Sequence, residues 1–240
     1  MRTILISDIH FKEERRALIE RLAVQLGTAD LILIAGDLTH FGGAKEVEKT
    51  LDILRPVSRQ IYAIAGNCDT NEGADYLREQ GINLAGRAIR IGRLIIQGME
   101  GVPHWRKVDY GFTEEELIGQ IRQSEQQAAE LLQEFDSVNG KPVRVLLTHV
   151  PPYQSGADKA MFLVSVGSRS LRNYLDAPPS IPGLIGVDYN FCGHIHEGRG
   201  EYQLEHTKIV NIGAAKNSFY VDLNVPEGEE PFRLEFKRAK

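Results

Sequence analysis

A chain of 240 residues is long enough for one large domain or two small ones with a sizeable core. With 25% charged and 42% hydrophobic residues it lies far from the composition of a disordered protein, and a net charge of -5 excludes a global attraction to nucleic acid or anionic membrane. The N-terminal apolar run of MRTILISDIHF ends in charge too soon for a signal peptide or a membrane span, and two cysteines without a CxxC pair provide no disulfide framework, so a cytoplasmic protein is expected.

The first ninety residues alternate strand-like and helix-like segments. TILIS is followed by an amphipathic stretch from Lys12 to Gln25, LILIAG by a helix from Ala44 to Leu54, and IYAIAG by a helix from Asn71 to Gln80. Apolar runs bounded by Gly and Asp are what strands covered on both faces look like, so this is a βαβαβ unit. From Ile82 to Gln97 short alternating segments divided by glycines (INLAG, RAIRIG, RLIIQG) predict antiparallel strands of a second sheet. Residues 113 to 135 open with a Thr and an acidic turn and predict about six turns of helix. Its apolar residues Leu117, Ile121, Leu131 and Leu132 fit either the sandwich edge or a dimer contact. VRVLLTHV is strand-like and stopped by Pro151 and Pro152, and a final group of short strands follows YNFCGH. The economical reading is a single domain over residues 1 to 240, with residues 100 to 142 as a helical insertion.

Five strand ends carry potential metal ligands. They are SDIH (Asp8, His10), AGDLTH (Asp37, with His40 three residues on), AGNCD (Asn67, Asp69), LLTHVPP (His149) and CGHIHE (His194, His196). Taken singly, an Asp after a strand is more often a cap or turn residue and a lone His more often a surface or core histidine. The shared placement argues otherwise, because residues at the carboxyl ends of parallel strands converge on one crevice. Gly36, Gly66 and Gly193 precede three of the groups and allow sharp turns and close approach to an ion. Four histidines, two carboxylates and an amide carbonyl exceed the needs of one tetrahedral zinc and suit two five- or six-coordinate divalent ions. A carboxylate such as Asp37 can bridge the pair, which would ready water for attack and neutralise phosphate oxygens.

The ordered set DxH, GD, GN, H and GHxH, running from Asp8 to His196, resembles the calcineurin-like metallophosphoesterase superfamily. The resemblance implies an α/β fold, a four-layer α/β/β/α sandwich of two mixed sheets, with a dinuclear centre at the strand ends. It implies that Asp8, His10 and His196 hold one ion, that Asn67, His149 and His194 hold the other, and that Asp37 bridges them. Manganese is the ion expected in vitro, with iron, zinc or nickel as alternatives. Most members carry a histidine after the Asn, in the role of substrate contact and proton donor. This chain has Cys68, as in a group of small bacterial and archaeal phosphodiesterases that it resembles. One weak S–H donor favours phosphodiesters whose leaving groups need little protonation.

Outside the ligand set, Ser168 reads as the N-cap of a helix bearing Arg169 and Arg172, which would offer Arg169 and the helix N-terminus to a substrate anion. His40, Glu197 and Arg199 sit just beyond the ligands, with His40 as the second candidate substrate contact. Trp105, Tyr110 and Phe112 can stack on a base or pack against the insertion. The expected function is hydrolysis of a small soluble phosphodiester by an activated water, with a nucleotide as one candidate. The alternatives are a phosphomonoesterase or protein phosphatase, or a non-catalytic scaffold that retains the fold. No extended basic surface for nucleic acid and no membrane contact are expected.

Overall fold

The computed structural model describes residues 1–104, 110–135, 140–161, 164–178 and 180–240. The chain opens with β1 (Arg2–Ile6), a 3-10 turn at Glu13–Arg15, α1 (Arg16–Leu26), β2 (Leu31–Ala35), α2 (Ala44–Leu54), β3 (Ile61–Ile64) and α3 (Asn71–Glu79). It continues through β4 (Ala88–Ile91), β5 (Leu94–Met99), β6 (Val102–Pro103), β7 (Gly111–Phe112), α4 (Glu114–Gln133), β8 (Val143–Thr148), β9 (Lys159–Ala160), β10 (Val164–Ser165) and α5 (Arg169–Asp176). It closes with β11 (Tyr189–Cys192), β12 (Gly200–Leu204), β13 (Thr207–Asn211), β14 (Phe219–Asn224) and β15 (Arg233–Arg238).

Two mixed sheets lie face to face, one in the order β15-β14-β1-β2-β3 and the other β12-β13-β11-β8-β5-β4. The alternation of side chains along each strand divides the core. In β1 and β2, Ile4, Ile6, Ile32 and Ile34 pack under α1, α2 and α3, whereas Leu5, Leu31, Leu33 and Ala35 face the second sheet. That sheet returns Val145, Leu147 and Phe191 to the shared layer and turns Leu146 and Ile209 outward against Leu117 and Ile121 of α4 and Leu171 of α5. The result is the expected four-layer α/β/β/α sandwich.

Local differences from the sequence reading have identifiable causes. INLAG forms no strand. It crosses between the sheets through single bridges, Asn83 to Ala63 and Ala85 to Gly98, with Gly86 at φ 68° redirecting the chain. The strand β5 is antiparallel to β4 but parallel to β8 on its other side. The last strands divide: β12 and β13 extend the second sheet, while β14 crosses to pair with β1. The capping box at Thr113 and Glu116 starts α4 as its sequence predicts. Its apolar face lies on the second sheet and α5, and Ser124 and Glu125 of its polar middle are buried too.

Candidate metal centre

The turns after β1, β2 and β3 are bonded to one another by backbone. Asp8 donates N–H to Gly36 O at 3.0 Å, His10 to Asp37 O at 2.9 Å and Phe11 to Leu38 O at 2.9 Å. To follow this path Asp8, His10 and Asp37 adopt left-handed φ values of 54°, 47° and 53°, and His194 adopts 65°. A left-handed non-glycine residue costs on the order of 1–2 kcal/mol, so the site is held by its surroundings against local preference. Asp69, named above among the potential metal ligands, is instead the brace. Its buried carboxylate accepts N–H bonds from Leu38 at 3.2 Å, Thr39 at 2.8 Å and Gly66 at 2.9 Å.

The side chains converge. Asp8 Oδ1 lies 3.2 Å from His196 Nε2 and 3.8 Å from His10 Nε2, while Asp37 offers Oδ2 to His10 Nε2 at 3.5 Å and Oδ1 to His149 Nε2 at 3.4 Å. Asn67 Oδ1 sits 3.1 Å from His149 Nε2. His194 completes the second-sheet side, its ring centroid 5.0 Å from that of His149. Asp37 therefore stands between the His10 and His149 groups. The three glycines admit this closeness: a Cβ at Gly36 would collide with the His149 ring, one at Gly66 with Asp37, and one at Gly193 with Ser7 and Asp8.

Three observations fit metal ions here. The buried Nε2 of His10 has no hydrogen-bond partner although it points between two carboxylates. His149 Nδ1 lies 2.8 Å from Ala35 O, which fixes Nδ1–H and leaves the Nε2 lone pair facing Asn67 Oδ1 and Asp37 Oδ1. Such a convergence of electron-rich atoms calls for a cation between them. Finally, ligand atoms of Asp8, His10 and His196 lie within 4.8 Å of one another, as do those of Asp8, Asp37 and His149. The donor set of imidazole, carboxylate and amide oxygen suits a divalent metal ion.

The electrostatics carry the same strain. Burial, then the neighbouring His149, lowers His194 to about 3, and burial lowers His10 to about 3, so both rings are neutral at neutral pH. Burial and the charges of Asp8 and Asp69 raise Asp37 to about 7, against the pull of His149. Burial opposes ionisation of Asp8 as well, but the hydrogen bond with His196 and the charge of His149 hold it well below the usual carboxylate range. Burial favours a neutral His149 ring, and the charges of Asp37 and Asp8 outweigh it and raise the ring.

A family model described as calcineurin-like phosphoesterase matches residues 1–198. The chain belongs to the calcineurin-like phosphoesterase family. An uncharacterized protein of Methanocaldococcus jannaschii, MJ1162, is 28% identical over 188 residues, which is 76% of this chain and 77% of that protein. Among solved structures, TT1561 of Thermus thermophilus superposes with a TM-score of 0.63 at 13% identity, covering 100% of this chain and 99% of the other. A dimetal phosphatase from Danio rerio gives a TM-score of 0.57 at 11% identity, covering 100% of this chain and 96% of the other. At these identities the two structures establish a shared fold.

In this calcineurin-like phosphoesterase, sequence reasoning missed the supports. Ser7 Oγ donates to Asp8 Oδ2 at 2.7 Å, and Asn211 Nδ2 reaches the carbonyls of Ala157, Gly193 and Ile195 at 3.2, 3.3 and 2.9 Å, fixing the GHIH turn. Asn211 ends β13 and nothing in its local sequence marks it. The α5 N-terminus, expected to be open to a substrate anion, is filled by this chain's own Glu114, whose carboxylate accepts from Arg169 N at 2.8 Å, Ser170 N at 3.0 Å and Ser168 Oγ at 2.6 Å. The Arg169 guanidinium lies 4.0 Å over the Tyr153 ring, and Arg172 binds Asp176 at 2.7 Å. Arg199 is held between Phe219 and Phe236, at 4.5 and 4.9 Å, and Glu197 is exposed. Tyr110 and Phe112 pack on each other at 5.2 Å, and Trp105 lies outside the described residues. No helix among the described residues is long and apolar enough to cross a membrane.

Proposed function

We propose that this calcineurin-like phosphoesterase is a phosphodiesterase for small substrates, with Asp8, His10 and His196 holding one divalent ion, Asn67, His149 and His194 a second, and Asp37 shared between them. Manganese is the ion expected to support activity in vitro. Two such ions supply an acidified water and neutralise charge on the phosphoryl oxygens. The chain's own residues do the rest. Ala35 O holds the His149 tautomer, Asp69 fixes the backbone that presents Asp37 and Asn67, and the neutral His10 and His194 rings keep their lone pairs available without first losing a proton.

The observation that carries the diester preference is the environment of Cys68. Its thiol lies 3.3 Å from Asn67 Nδ2, which donates to sulfur and turns the amide oxygen toward His149. Burial and the charge of Asp37 push the thiol well above its usual range, so it stays protonated. A thiol so placed is a poor substitute for an imidazolium as proton donor, which favours esters whose leaving group departs with little assistance. His40, 3.5 Å from His10 through the two Nδ1 atoms, and Arg169 on Tyr153 are the residues assigned to the outer part of the substrate.

The test is turnover of bis(p-nitrophenyl) phosphate and p-nitrophenyl phosphate by the manganese-loaded chain. A higher kcat/KM for the diester supports the reading, and a higher value for the monoester overturns it in favour of a phosphomonoesterase. Failure to bind two ions per chain and to turn over either ester leaves the scaffold alternative.

A further inference from the structure

Phe41 is an anomaly at the mouth of the metal centre. Its side chain is 51% exposed, although bulky apolar residues are costly to leave in water, and its φ of 61° is a genuine outlier for a bulky side chain. A glycine or asparagine would relieve both penalties. The position is nonetheless braced, with Phe41 N–H donating to Cys68 O at 2.7 Å and the ring edge-on to His40 at 4.9 Å and 66°. His40 in turn contacts His10, and ligand atoms of His10, His40 and Cys68 lie within 4.8 Å of one another. A rigid aromatic face is thus held in solvent, with His40 between it and His10.

The rim beside it is cationic. His40 N–H donates to Phe11 O at 3.2 Å, which brings Lys12 alongside, Arg15 N–H donates to Lys12 O at 2.8 Å, and Lys216 N–H donates to Asp8 O at 3.1 Å. All three charges act on His40, whose pKa is lowered first by burial and then by Lys12, Arg15 and Lys216. Among the described residues none of the three has a carboxylate partner, whereas neighbouring Arg16 and Lys49 are both paired with Glu13. Unpaired cations beside an exposed ring, in a chain of net charge -5, mark a place for an anion with an aromatic group.

We propose that Phe41 is a stacking platform for a nucleobase and that Lys12, Arg15 and Lys216 receive phosphate beyond the one held at the metal centre, so that the substrate is a nucleotide-bearing phosphodiester. This rests on the phosphodiesterase reading above and names its substrate class. Stacking on an aromatic side chain tolerates every base, so the platform selects nucleotides as a class.

Binding of ADP and of ribose 5-phosphate to the metal-loaded full chain, measured by calorimetry, separates the platform from the chemistry. Wild type should bind ADP more tightly, and Phe41→Ala should reduce the ADP to ribose 5-phosphate affinity ratio about tenfold. Phe41→Gly, which relieves the left-handed backbone, should behave as Phe41→Ala does, and Phe41→Trp should restore the ratio. Lys216→Gln should weaken ADP binding and reduce its salt dependence. A ratio near one in wild type, or one unmoved by Phe41→Ala, overturns the proposal.

In turnover, the kcat/KM ratio of thymidine 5′-(p-nitrophenyl phosphate) to methyl p-nitrophenyl phosphate should fall by a similar factor in Phe41→Ala. If neither ester is hydrolysed while the binding ratios behave as expected, the phosphodiesterase reading fails and the platform stands. Hydrolysis of both esters with a ratio unaffected by Phe41→Ala sinks the platform and leaves the phosphodiesterase.

Discussion

Two buried polar clusters of this protein are built on opposite principles. Under α4 and α5, the fully buried Arg144 donates to Gln97 Oε1 at 2.7 Å, Ile185 O at 2.9 Å and Tyr174 OH at 2.5 Å. Tyr174 OH donates to Glu125 Oε1 at 2.8 Å, and Gln97 Nε2 to Ser124 Oγ at 2.8 Å. Donors and acceptors are matched within the chain, so the cluster is complete. At the strand ends, Asp8, Asp37, Asn67 and the imidazole lone pairs are nearly all acceptors, His10 Nε2 is unpartnered, and Asp37 is raised to about 7. A buried network that satisfies itself serves the fold, whereas one that lacks positive charge is prepared for something the chain does not contain.

The strongest test of this contrast is Asp37→Asn. Losing the shared carboxylate should lower metal affinity and kcat/KM on a diester by about 100-fold or more, read by elemental analysis and steady-state kinetics. Next, Arg144→Met should leave metal content intact yet destabilise the fold by about 3–5 kcal/mol in urea unfolding, because Glu125 would be stranded without its chain to a cation. A loss of metal with retained stability in Arg144→Met would erase the distinction between the clusters.

The same Asp37→Asn substitution should act with the opposite sign on the metal-free protein. The Asp37 folded value of about 7 lies above the ordinary carboxylate value near 3.9, so the folded state holds this proton more tightly and Asp37 costs stability as pH rises from about 4 to 7. His10 and His194, lowered to about 3, contribute in the other direction in both proteins. Metal-free Asp37→Asn should therefore become progressively more stable than metal-free wild type across that window, read by thermal unfolding in chelator. A difference that does not grow with pH would mean that Asp37 is not raised.

Two smaller effects sharpen the picture. Cys68→His should increase turnover of diesters with alkyl leaving groups about tenfold more than that of p-nitrophenyl esters, since an imidazole restores a proton donor. Glu114 lies below its ordinary value because the hydrogen bonds at Ser168, Arg169 and Ser170 outweigh burial. Its contribution is present above the unfolded glutamate pKa and lost as pH falls through the folded one. Glu114→Gln should cost about 1 kcal/mol at neutral pH and flatten the acid limb of the stability profile.

Much of this was legible in the chain itself. The αβ alternation, the full span of α2 and the Thr113 start of α4 follow from periodicity and capping, which act over neighbouring residues. The ligand groups were legible because each sits beside a glycine or at a strand end, and their order from Asp8 to His196 matches a known pattern. The supports were not. Asn211 and Ser7 carry no local mark, Glu114 reads as an ordinary helix-start acid although it caps a different helix, and Glu125 looks like a solvated residue although it is buried.

Strand periodicity, helix caps and the donor-bearing turns are short-range properties, so the sequence alone determined most of the elements, the alternating αβ class and the residues that are candidates to bind metal. Which sheet β14 joins, that Asp37 lies between His10 and His149, and that Phe41 stands exposed on a rim whose three cations have no carboxylate partner among the described residues depend on contacts between residues far apart in the chain. Only the tertiary structure decided these, because burial, unmatched charge and left-handed backbone are set by what packs around a residue.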